Sequence, residues 1–205
     1  MRRRAQSGFT LIELVLALTI VAIMVTMLFS GLRVGLRAWQ TGEERANALQ
    51  HSRSMTQILE GTLSGTYWYL ALLDKTANTP VLLFKGEADR VSFVTGSPPM
   101  PIVGLTPFVA VTMSIDQGNN PGFAIRQKAM PNFDPFEAIT PIVVDPTVSA
   151  IQFRYMRDGG SWEDTWNAVD ERALPQAIEV TLRTTVSGRE EQLPPFVVPI
   201  RVNAQ

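Results

Sequence analysis

Apolar residues crowd the start of the chain and then thin out into a stripe. Residues 9–29 read FTLIELVLALTIVAIMVTMLF, with one charge, Glu13, and neither proline nor glycine. As a helix this run is about 31 Å long, matching a hydrocarbon core of about 30 Å. Beyond it Leu32, Leu36, Trp39, Ala46, Leu49, Met55, Leu59 and Leu63 recur mostly three and four apart, which predicts one apolar stripe along a polar helix. Arg33, Arg37, Glu43, Glu44, Arg45, Arg53 and Glu60 fall largely off that stripe. Gly31, Gly35 and Gly42 mark either a bend or close packing between helices. The stripe is expected to cover a sheet rather than form a coiled-coil seam, because the chain that follows is rich in strand signals.

After Gly65 proline and glycine punctuate short β-branched and aromatic runs. Strands are predicted over residues 81–85, 90–95, 108–115, 122–128, 138–144, 148–156, 176–186 and 196–203. Ile178, Val180 and Leu182 share one face while Glu179, Thr181 and Arg183 share the other. Most gaps are too short for a helix, so the pairing is expected to be antiparallel. Pro194, Pro195 and Pro199 point to an edge strand or an irregular tail. One long helix followed by antiparallel strands is an α+β layout.

Composition narrows the chemistry. The 205 residues are 45% hydrophobic, enough for a core beside an anchor, and the net charge is −1. Arg2, Arg3 and Arg4 form the one basic block, so a nucleic-acid partner is not expected. There is no cysteine, which excludes disulfides, thiolate metal sites and cysteine nucleophiles. The single histidine, His51, falls at a polar position of the helical stretch and reads as a solvated side chain. No P-loop, dinucleotide glycine pattern, G-x-S-x-G or H-E-x-x-H occurs, so no enzyme is expected and no cofactor or metal. Asp158, Glu163 and Asp164 lack the regular oxygen-ligand alternation of an EF-hand loop. The G-x-x-x-G at residues 31–35 lies past the apolar run and contains Arg33, a poor membrane dimer motif.

Glu13 is the residue that the apolar run does not explain. A secretory signal peptide would have a shorter apolar region and a small-residue cut site, and FSGLRVGLRA after residue 28 is a poor one. A plain anchor accounts for the length, and the arginines put its N-terminus in the cytoplasm. It leaves Glu13 at a cost of about 2.5–3.5 kcal/mol deep in lipid. The third reading is that another chain supplies a partner for the carboxylate.

Gly8-Phe9-Thr10-Leu11-Ile12-Glu13, behind a short basic leader, resembles the type IV prepilin cleavage and methylation motif, G-F-x-x-x-E. The resemblance implies that residues 1–8 are a leader and that a prepilin peptidase cuts between Gly8 and Phe9 and methylates Phe9. It implies that the apolar helix is kept, first as an inner-membrane anchor and then inside a filament. Glu13 would pair with the N-terminal amine of a neighbouring subunit. The fold implied is pilin-like, with a transmembrane segment over residues 9–31, a helical extension over 32–63 and a β-rich periplasmic domain over 64–205.

The stretch AIQFRYMRDGGSWEDTWNAVDERALPQAIEVTL, residues 150–182, is similar to a block of the J-type minor pseudopilins of type II secretion. Phe153, Tyr155, Trp162, Trp166, Leu174, Pro175, Ile178 and Leu182 carry that similarity. Four residues apart, Trp162 and Trp166 could share a helical face and pack, or meet another subunit. The J-type resemblance implies a place near the tip of a periplasmic pseudopilus. The partners would be the I and K pseudopilins and the major pseudopilin, with folded proteins exported through an outer-membrane secretin. A minor pilin of a type IV pilus shares the N-terminal motif, and a membrane-anchored binding or enzymatic domain is the alternative of another class.

Overall fold

The computed structural model describes residues 10–72, 79–102, 106–118, 121–137, 140–186 and 188–201. The elements are α1 (Leu11–Ser64), β1 (Leu70–Ala71), β2 (Val81–Leu82), β3 (Phe84–Gly86), β4 (Arg90–Thr95), β5 (Val109–Asp116), β6 (Gly122–Ala129) and β7 (Val143–Asp145). They continue with β8 (Val148–Met156), β9 (Trp162–Glu163), β10 (Trp166–Asn167), α2 (Ala168–Glu171), β11 (Ala177–Val186), β12 (Arg189–Gln192) and β13 (Phe196–Pro199). The chain divides into two compact units, Met1–His51 and Ser52–Gln205.

The first unit holds most of α1, which passes through Gly31, Gly35 and Gly42 without a break. A Cβ built on any of these three glycines meets nothing within 4 Å, so in this chain they neither interrupt the helix nor serve close packing. Leu32, Leu36, Trp39 and Leu49 are exposed, Trp39 by 76%. The stripe expected to cover a sheet therefore does so only at its C-terminal end. Met55, Leu59 and Leu63, in the second unit, are buried in the main core.

The second unit is built on antiparallel pairing throughout its described strands. A six-stranded sheet has the order β10-β3-β4-β5-β6-β7, a second sheet runs β12-β11-β8-β9 with β13 also on β11, and β1 and β2 form a small pair. The main core joins the end of α1 to both sheets, through Phe84, Val91, Phe93, Val111 and Met113 from one and Phe153, Tyr155, Ile178, Val180 and Leu182 from the other. The period-two pattern of β11 decides this: Ile178, Val180 and Leu182 go inward. The middle of the six-stranded sheet is covered on its other face too, by a second cluster of Leu83, Val94, Ala110 and Met130 with Tyr69, Phe108 and Phe136 packed against it. Between the two clusters β4 and β5 read as nearly continuous apolar runs rather than clean alternation. Of the buried polar residues in these strands, Ser92 and Thr112 face each other across the ladder with hydroxyl oxygens 3.1 Å apart.

The end of α1 is tied to this sheet through backbone carbonyls. Thr95 Oγ1 donates to the Thr62 carbonyl at 2.9 Å, and Thr66 Oγ1 donates to the Leu63 carbonyl at 2.6 Å. Two acceptors left over by the last helical turn are thereby satisfied.

Several expected boundaries shift for physical reasons. The run at 81–85 divides into β2 and β3, because the Leu83 amide donates outward to the Tyr69 carbonyl at 3.0 Å. The strand expected over 138–144 is observed as β7, Val143–Asp145, with Pro141 unable to donate to a ladder and residues 138–139 outside the described set. The strand expected over 196–203 ends at Pro199, and residues 202–203 lie outside the described set. As β13 pairs with β11 alone among the described strands, Pro199 sits on an edge strand, while Pro194 and Pro195 lie in the irregular link before it.

Candidate functional site

The first candidate is the start of α1. Thr10 directly precedes α1, and its carbonyl accepts from the amides of Glu13 at 3.1 Å and Leu14 at 3.3 Å. Glu13 thus lies in the first helical turn, where the unpaired amides favour a negative charge. The large apolar residues on both sides of it are exposed along the whole run, Leu11 through Phe29, as an anchor in lipid requires. Three hydroxyls in and just after the run are satisfied within the helix. Thr19 donates to the Leu16 carbonyl at 2.8 Å, Thr26 to those of Ala22 at 2.9 Å and Ile23 at 2.8 Å, and Ser30 to that of Thr26 at 2.8 Å. Such back-bonding lets a hydroxyl enter hydrocarbon without an orphaned donor. Glu13 has no side-chain partner among the described residues, and it is the charged group of the run. Gly8 and Phe9 lie outside the described residues.

The second candidate is the segment between β8 and β11. Trp162 and Trp166 do not share a helical face; that expectation is corrected. Trp162 is in β9, which pairs with β8, and Trp166 is in β10, which pairs with β3 of the other sheet. The four-residue spacing is spent in crossing from one sheet to the other. Trp166 is 5% exposed and its indole Nε1 donates to the Ala173 carbonyl at 2.9 Å, so its work is packing. Trp162 is half-buried, with the Arg154 guanidinium 6.0 Å from its ring centroid.

Arg157 holds this crossover in place. Its Nε and Nη2 each donate at 2.8 Å to the two carboxylate oxygens of Glu163, while Nη1 and Nη2 donate to Glu171 at 2.5 and 2.8 Å. The guanidinium also lies 5.4 Å from the Trp166 ring centroid. These hydrogen bonds, more than the charge alone, hold both carboxyls below the ordinary glutamate range. Gly159 and Gly160, with φ of 97° and 87°, make the turn that leads back from Arg157, in a region that side chains with a Cβ avoid. The acids that suggested a cation loop are otherwise engaged. Glu163 is on Arg157, Asp164 is 3.5 Å from Arg154, and Asp158 accepts from Gln176 Nε2 at 2.8 Å.

Sequence reasoning passed over the node beneath the tryptophans. Gly86 pairs with Trp166, and a Cβ on it would lie 2.2 Å from the Tyr155 ring. Tyr155 is buried, its hydroxyl donates to the Glu87 carbonyl at 2.9 Å, and burial pushes its pKa up. One side chain of the second sheet therefore plugs into the first sheet where glycine leaves room. The signal was present in the KGEAD turn after an apolar run, but nothing in it names Tyr155 as the occupant.

Comparison with known proteins finds a match over each of the two stretches. Residues 3–29 match the prokaryotic N-terminal methylation motif, and residues 30–193 match the family described as type II secretion system (T2SS), protein J. Type II secretion system protein J of Escherichia coli is 24% identical over 207 residues, which cover 93% of this chain and 96% of the relative. With an apolar anchoring helix, an α+β pilin-like fold and that span of matched residues, this chain belongs to the type II secretion system protein J family, the minor pseudopilins of type II secretion.

Proposed function

We propose that the chain is made as a prepilin, cut between Gly8 and Phe9 by a prepilin peptidase and methylated at Phe9. Residues 9–31 then hold it in the inner membrane, with the N-terminus cytoplasmic and residues 64–205 periplasmic. Residues 32–63 continue the helix outward. It joins the I and K pseudopilins at the tip of a pseudopilus built from the major pseudopilin and helps to start that filament. Its work is mechanical, with no reaction catalysed by its own residues.

The observation that carries this reading is Glu13, an acid without a described partner on a helix where Thr19, Thr26 and Ser30 bond back to the backbone. A buried carboxylate persists only when paired, and the amine freed at Phe9 is a cation of the right sign on a neighbouring subunit. Glu13 is then an assembly contact. Of the two tryptophans, Trp162 keeps exposed surface for a subunit contact, whereas Trp166 does not.

The test is a pair of variants in the intact secretion system. Glu13→Ala should reach mature mass yet lose most co-purification with the I and K subunits, and unchanged co-purification would overturn its assembly role. Gly8→Asp should stay at precursor mass by mass spectrometry; a shift to mature mass would remove Gly8 from the cleavage site.

A further inference from the structure

Six acidic side chains among the described residues of the second unit are tied to a cation. Asp116 meets Arg126, Glu87 meets Lys85 at 2.8 Å, Glu163 and Glu171 share Arg157, and Glu179 and Asp164 flank Arg154. Asp134 and Glu137 lie outside that set, as do Glu60, Asp89, Glu190 and Glu191, and what distinguishes the pair is where they stand. Both line a cleft of about 350 Å³, and neither carboxylate has a cationic partner among the described residues. Lys128 reaches Asp134 only at its backbone carbonyl, 2.7 Å away, and the lysine that lines the cleft, Lys85, is already held by Glu87.

The cleft walls are apolar. Val81, Leu83, Phe136 and Val169 line it, and Val169 is 50% exposed at the start of α2. The wall is also held firmly. Asn167 caps α2 by accepting from the Val169 amide at 3.1 Å, while Arg157 grips Glu171 at its other end. An apolar hollow with two uncompensated carboxylates favours a cationic ligand with an apolar contact. It repels an anionic lipid surface.

We infer that this cleft receives a segment of a partner polypeptide that presents an apolar side chain beside a lysine or arginine. The inference deepens the pseudopilin reading and rests on it for where the partner is sought, among the subunits of the secretion apparatus.

The test uses the full chain in cells, with a photo-crosslinking amino acid in place of Val169 and, in a separate strain, in place of Glu190 on β12. Adducts are isolated and their peptides sequenced. The expected result is an adduct strong at 169 and weak at 190, on a peptide with Lys or Arg next to an apolar residue. Asp134→Lys with Glu137→Lys should cut its yield about ten-fold. Asp134→Asn with Glu137→Gln, a milder pair at the same surface, should fall between, with the thermal midpoint of both pairs unchanged. Equal yields at the two positions, a lipid adduct, an acidic peptide, or a yield indifferent to charge reversal would overturn the inference. A charge-matched peptide from outside the secretion apparatus would leave the cleft inference standing and count against the pseudopilin partner reading instead.

Discussion

Gly86 and Arg157 show how much of this molecule depends on single side chains meeting across sheets. Gly86→Ala places a methyl against the Tyr155 ring, where a Cβ would stand 2.2 Å away. Both the ring and the backbone around it are buried, so the strain has few outlets, and a loss of about 1–3 kcal/mol is expected by urea unfolding. Arg157 acts through charge and hydrogen bonding at a partly exposed site. In the unfolded chain Glu163 and Glu171 titrate at their ordinary value, whereas Arg157 lowers both in the folded one. On acidification the unfolded state takes up protons first. The clamp's contribution is therefore complete above the ordinary glutamate pKa and is lost as the pH falls through the lower folded values. Arg157→Ala should separate from the parent most at neutral pH, and the two unfolding midpoints should converge below about pH 4.

At the level of elements, α1 behaves as two different objects in one helix. Leu59 and Leu36 follow the same three-four spacing, yet Leu59 is buried against both sheets and Leu36 is exposed. Leu59→Ala should cost about 2–5 kcal/mol, while Leu36→Ala should stay within about 0.5 kcal/mol. Chemical denaturation of the full chain in detergent, followed by circular dichroism, checks both. Equal costs would mean that the stripe is covered along its length. The same contrast explains which elements were legible beforehand. The central strands declared themselves because their apolar residues alternate or run together between turn residues. β12, with the sequence REEQ and four exposed residues, carries no such signal, since an edge strand can hold its place by backbone pairing alone. β9, β10 and α2 are too short for any periodicity to register, and Trp162 and Trp166 were read at helical spacing for the same reason.

For the whole molecule, the division into an apolar helical unit and a folded second unit gives a simple expectation. A chain shortened to residues 33–205 should leave the membrane fraction and still unfold in one cooperative transition at the parent midpoint. None of the described residues removed is among those buried in the core. A lowered or broadened transition would show that the anchor contributes to folding. The sequence by itself determined the anchor, the leader motif with Gly8, Phe9 and Glu13, the α+β class and the inward face of β11. Each of these is local, a matter of length, charge or period along one stretch of chain. Only the tertiary structure decided that Trp166 packs inside, that Tyr155 fills the space over Gly86, that Arg157 gathers Glu163 and Glu171, and that Asp134 and Glu137 are left unpaired beside an apolar cleft. Those are meetings made through space, between different strands, turns and sheets, and a pattern read along one strand has no term for what another element brings to it.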